Sequence, residues 1–144
     1  MVRLVAYVED SHVNSGEGVN CNCTDQAAND FHVTLVMNKG DRACSGIVAE
    51  MIPHFRPDEW QNNAVDGLKT KGTPVRVEGP LFADTGHLPK PCGGTNNRSD
   101  PVRASVWEIH PVKRFQVCRF KTRAKCKADD DSVWDELPAV AQEE

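Results

Sequence analysis

Residues 31–37 read Phe-His-Val-Thr-Leu-Val-Met and alternate without a slip. Phe31, Val33 and Leu35 fall on one side, and His32, Thr34 and Val36 on the other. A period of two belongs to a strand with one face on a core. The same chain changes period only once. Trp60, Ala64 and Leu68 recur every four residues, the spacing of a buried helical stripe. Pro57 suits the first turn of that helix, Asp58 and Glu59 favour its positive end, and Gly67 and Gly72 bracket its stop.

The remaining apolar runs are short and β-rich. Val2 to Val8 is a first strand, and Ile47 to Ile52 a third. Asn38 to Asp41 is a turn between the second and third. Pro74 opens a fourth strand, Val-Arg-Val-Glu-Gly-Pro-Leu-Phe, with Gly79 as a bend or bulge. Residues 102–118 form the fifth strand and its continuation. Residues 10–30 and 83–101 are rich in Gly, Asn and Pro and read as long loops. The order strand, strand, strand, helix, strand, strand is that of a five-stranded OB-fold-like Greek-key barrel, mostly β, with one helix between strands 3 and 4. A split α+β sheet is the competing architecture.

The 144 residues point to one domain, residues 1–118. Residues 119–144 differ in composition: Arg119, Lys121, Arg123, Lys125 and Lys127 precede an acidic stretch, Asp129 to Leu137. This reads as a charge-segregated flexible tail. Its acidic, apolar-tipped end resembles tails through which single-stranded-DNA-binding proteins recruit partners, so 128–144 is a candidate site for a protein partner. Trp134 and Leu137 docking on the chain's own barrel is the alternative.

A net charge of −4 gives no general attraction for nucleic acid or anionic membrane. No apolar run approaches the ~20 residues of a membrane span. The first ten residues lack a signal-peptide core and soon meet Glu9 and Asp10. The expectation is a cytoplasmic protein whose six cysteines, Cys21, Cys23, Cys44, Cys92, Cys118 and Cys126, are reduced thiols.

Five strings occur in order: Cys-Asn-Cys at 21–23, Asn-Asp-Phe-His-Val-Thr-Leu at 29–35, Ile-Val-Ala-Glu-Met at 47–51, Pro-Val-Arg-Val-Glu-Gly-Pro-Leu-Phe at 74–82 with Asp84 and His87 following, and Trp-Glu-Ile-His-Pro-Val at 107–112. Together they resemble a group of uncharacterised bacterial proteins built on an OB-like barrel. The resemblance spans about residues 2 to 118 and implies the fold; it carries no catalytic role. Val19 stands where that pattern has a Ser or Cys.

Alternation puts His32, Glu50, Glu108 and His110 opposite the apolar faces of their strands, with Trp107 and Ile109 packed into the core. In an OB barrel the third strand lies between the second and the fifth, so these four form a polar stripe. Asp84 and His87 can fold over it. Imidazoles and carboxylates of this kind suit Zn, Mn or Fe, and also acid/base work. Hydrogen-bonded ladders between strands are the bland alternative. Cys21 and Cys23 make a weaker thiol site, because their spacing is not that of a two-half zinc site.

The leading expectation is therefore a non-enzymatic ligand- or partner-binding module. One rival is a metal-dependent hydrolase or nuclease-like enzyme using His32, Glu50, Asp84, His87, Glu108 and His110. The other is a single-stranded nucleic-acid binder, less favoured because only Tyr7, Phe55 and Phe82 stand as stacking candidates.

Overall fold

The structure, a computed structural model, describes residues 1–14, 28–90, 92 and 102–137. Among the described residues the chain is mostly β, with one α-helix, and eight strands form one open sheet: β1 (Val2–Asn14), β2 (Asp30–Val36), β3 (Ile47–Met51), β4 (Pro74–Gly79), β5 (Leu81–Ala83), β6 (Trp107–Ile109), β7 (Arg114–Cys118) and β8 (Trp134–Glu136). Their order is β5-β6-β3-β2-β1-β4-β7-β8. Helix α1 (Asn62–Lys71) lies between β3 and β4. No helix among the described residues is long and apolar enough to cross a membrane.

The count of five strands is corrected to eight, and the physical reasons are local. Gly79 and Pro80 end β4, and the chain turns away from β1 to pair with β6 as β5. A side chain at Gly79 would run into the carbonyl oxygen of Pro111 and the Ile109 side chain. The close crossing therefore needs glycine, and Pro80 supplies no N–H to continue the ladder. The expected fifth strand breaks in the same region, between Ile109 and Arg114. Its first half, β6, runs parallel to β3; its second half, β7, runs antiparallel to β4.

Strand β1 is longer than expected. Its register on β2 shifts between Val8 and Asp10, and His12, Val13 and Asn14 then pair with His32, Phe31 and Asp30. Asp10 to Asn14 thus leave the expected loop and join the sheet. The alternation of β2 is kept, but both faces are buried. Phe31, Val33 and Leu35 enter the core with Ala49, Met51, Val75, Val77, Phe115 and Val117. On the opposite face His32, Thr34 and Val36 are buried as well.

The helix starts later than Pro57. Residues 57–60 close a turn in which the Trp60 N–H donates to the Pro57 carbonyl at 2.9 Å. Val65 and Leu68 are the buried helical residues, and Trp60 reaches the core from before the helix, edge-on to Phe115. Gly72 caps the C-terminus at φ 58°, donating its N–H to Leu68.

The expected flexible tail is corrected for residues 119–137. They fold back on the sheet, and β8 pairs with β7. Val133 and Trp134 pack with Cys118 and Cys126, while Leu137 joins the main core. The reduced-thiol expectation is also corrected: disulfides join Cys44 to Cys92 and Cys118 to Cys126. The second pins the start of the returning segment to the end of β7. Cys21, Cys23 and residues 138–144 lie outside the described residues.

Candidate polar site on β2, β3 and β6

His32 and Glu50 are register partners on neighbouring antiparallel strands. Their side chains meet with His32 Nε2 2.9 Å from Glu50 Oε1. The parallel pairing of Ala49 with Ile109 brings β6 alongside and sets Glu108 and His110 next to Glu50. His110 Nδ1 donates to Glu50 Oε2 at 2.8 Å and to Glu108 Oε1 at 3.2 Å. The other oxygen of Glu108 accepts from Arg103 Nη1 at 3.1 Å. That same nitrogen lies 3.1 Å from Asp84 Oδ2, which also accepts from His87 Nδ1 at 2.7 Å.

The result is one continuous chain: His32, Glu50, His110, Glu108, Arg103, Asp84, His87. Basic and acidic groups alternate along it. All six residues expected from sequence belong to it. Asp84 is held by the turn after β5, where its own N–H donates to Val106 and its Oδ1 accepts from Gly86. On the far side, Asn14 Nδ2 sits 3.1 Å from His32 Nε2, and the His12 ring centre is 5.6 Å from that of His32.

Glu50 and Glu108 are buried, so ionising them needs close partners. Burial by itself would raise the Glu50 pKa. The hydrogen bonds from His110 and His32 outweigh that and hold it at about 2. His110 is pushed up to about 10 by its hydrogen bonds to Glu108 and Glu50, against a smaller opposing effect of burial. The centre of the chain is therefore an ionised carboxylate against a protonated imidazole at neutral pH.

Two features run against the alternation argument. Glu108 is 2 % exposed and Trp107 is 51 % exposed, so the polar residue is inside and the aromatic one outside. Strand β6 is only three residues long and has the edge strand β5 on one side. Trp107 faces Ala83 at the end of that edge, where little covers it. Phe82, the register partner of Glu108, is half exposed and packs edge-on to His110 at 5.4 Å.

Arg103 is the member that sequence reasoning missed. It is fully buried, yet its Nε and Nη2 have no hydrogen-bond partner among the described residues. Nothing in its own neighbourhood marks it. The available signal is indirect: two carboxylates sent to one place, Asp84 and Glu108, require a buried cation between them.

Glu50, Glu108 and His110 each offer one donor atom, all within 4.8 Å of one another. Asp84, His87 and His32 do not join that group. His32 meets the Glu50 oxygen opposite the one His110 holds, and Asp84 and His87 lie beyond Arg103. No protein family matches this chain, and comparison with curated proteins and with solved structures gives no match.

Proposed function

We propose that this chain is a non-enzymatic binding module on an OB-like barrel. Its partner surface is the β5–β6 edge beside the His/Glu chain. The barrel reading rests on continuity: β6 and β7 are two halves of one stretch, bonded to β3 on one side and β4 on the other. Between them the N–H of Val112 donates to Glu50 and that of Lys113 to Glu78, each at 2.8 Å.

One observation carries the binding reading. Leu81, Phe82 and Trp107 are each about half exposed on the outermost strand pair, while every carboxylate of the neighbouring site is already engaged by a basic group. Exposed apolar side chains gathered on an unpaired strand edge favour an interaction surface. A carboxylate committed to a histidine or arginine is a poor free base. Within residues 128–137 the apolar side chains Val133, Trp134 and Leu137 are buried on this chain and not offered to a partner. We therefore favour the β5 edge over the tail.

The experiment compares three outcomes. A photo-crosslinking side chain at position 82 is expected to give a defined adduct, and one at Phe120, exposed in the segment after β7, none. Low-salt titration with a thymidine oligonucleotide is expected to show no binding, and bis(p-nitrophenyl) phosphate with Mn²⁺ no turnover. Salt-sensitive oligonucleotide binding lost on Trp107→Ala would replace this reading with the nucleic-acid one. Turnover lost on Glu108→Gln would replace it with the hydrolase.

The two disulfides also bear on location. Such bonds persist in oxidising compartments, so we propose an oxidising setting in preference to the cytoplasm.

A further inference from the structure

The centre of the polar chain has a shape that hydrogen bonding alone does not require. Glu50 and Glu108 come from different strands, yet each turns one oxygen to the same imidazole nitrogen. Their opposite oxygens are fixed from outside, Glu50 by His32 at 2.9 Å and Glu108 by Arg103 at 3.1 Å. Outer partners of this kind orient the inner ligands of metal centres and hold their free oxygens in place.

The spacing fits a cation. Nδ1 of His110 is 2.8 and 3.2 Å from the two oxygens. Bonds of about 2.1 Å place neighbouring ligand atoms about 3.0 Å apart at octahedral angles and about 3.4 Å apart at tetrahedral ones. Two carboxylates also bring two negative charges to one point, which a divalent ion balances. The His110 side chain is 30 % exposed, so the ligand set is not sealed from solvent.

We propose that Glu50 Oε2, Glu108 Oε1 and His110 Nδ1 form a site for one small divalent transition cation, Zn²⁺ or Mn²⁺. The imidazole gives up its Nδ1 proton to solvent as the ion enters, and solvent completes the coordination shell. The donor set is harder than the thiolate sets of structural zinc sites, because two of three ligands are carboxylate oxygens. Phe82 of β5 packs on His110, so the ion would lie beside the β5 surface, but its three ligands do not depend on what that surface binds.

The test uses the full chain without an affinity tag, stripped with chelator and titrated separately with Zn²⁺ and Mn²⁺. One ion per chain is expected for at least one metal. Glu108→Gln and His110→Gln should abolish that binding. His32→Gln should weaken it by about 10-fold, as loss of an orienting partner does. His54→Ala, an exposed histidine elsewhere, should leave it unchanged. Nitrogen-15 spectra of the wild-type histidines give a readout independent of how the variants fold: saturation with Zn²⁺ should move the His110 Nδ1 signal. Absence of saturable binding overturns the proposal. So does a His110 signal that stays in place at saturation, or uptake lost instead in a Cys21→Ser/Cys23→Ser variant.

Discussion

The Arg76 guanidinium stacks against Trp134, 5.1 Å from the ring centre, with no exposed surface of its own. It donates from Nε to Gln116 Oε1 and from Nη1 to the Ala128 carbonyl, both at 2.7 Å, and Nη2 reaches Asp131 Oδ1 at 2.7 Å. One side chain on β4 thus holds the returning C-terminal segment. The Trp134 indole N–H donates to Lys127 at 2.8 Å and closes the same loop. Arg76→Ala leaves the buried Gln116 Oε1 without its donor and strips the packing from Trp134, and should cost about 1–3 kcal/mol. Amide hydrogen exchange should then rise across 126–136. Asp131 is largely exposed, so Asp131→Ala should lower the urea midpoint far less than Arg76→Ala does.

The pH profile of stability follows from Glu50 and His110. In chelator-treated protein, Glu50 is depressed from its ordinary 4.5 to about 2. Its contribution is complete above about 4.5 and is lost as pH falls toward 2. His110 is raised from 6.5 to about 10. Its contribution is complete below about 6.5 and is lost as pH rises toward 10. Urea midpoints should therefore be highest between pH 4.5 and 6.5. Glu50→Gln should flatten the acid limb and His110→Gln the alkaline one.

The exposed edge residues should matter little to folding. Trp107→Ser and Phe82→Ser should each cost about 1 kcal/mol or less. Ile109, their fully buried neighbour on β6, should cost about 2–5 kcal/mol on replacement by alanine. Urea denaturation of the three variants checks the order. Equal losses would show that the edge is packed, and would remove the ground for a binding surface there.

The two disulfides close loops of different length, with sequence separations of 48 and 8. On the chain-entropy account the Cys44–Cys92 bond contributes about 4 kcal/mol and Cys118–Cys126 about 2.5 kcal/mol. Intact-mass analysis after alkylation of unreduced protein should leave these four cysteines unlabelled. Cys44→Ser/Cys92→Ser should lower stability more than Cys118→Ser/Cys126→Ser, as read by thermal melting.

The polar site was legible because pattern and order act together. His32 on a strictly alternating strand and Glu50 on the next need only the right register to meet, and a parallel neighbour then brings Glu108 and His110. The interruptions were not legible. Gly79 looks like a bend within a strand, and only its approach to Pro111 shows that the strand ends there. Trp107 is exposed although Ile109, on the same face of β6, is buried, because a three-residue strand beside an edge leaves its first residue little to pack against. Arg76 and Arg103 were passed over because a long basic side chain inside a core is rare, and each is explained only by acceptors distant in sequence. The acidic tail read as solvated because Arg76, the charge that receives it, lies in another strand.

The parallel pairing of Ala49 with Ile109 has a consequence for the order in which this protein can be made. A ribosome finishes β1, β2, β3 and α1 well before it reaches β6. During that interval His32 can approach Glu50 on one side, but the carboxylate's other oxygen has nothing to accept from. The nascent sheet must keep that flank wet. Only when residues 103–110 emerge do the arginine and second histidine arrive that allow water to be expelled, so a strand added late makes it possible to bury a charge laid down much earlier.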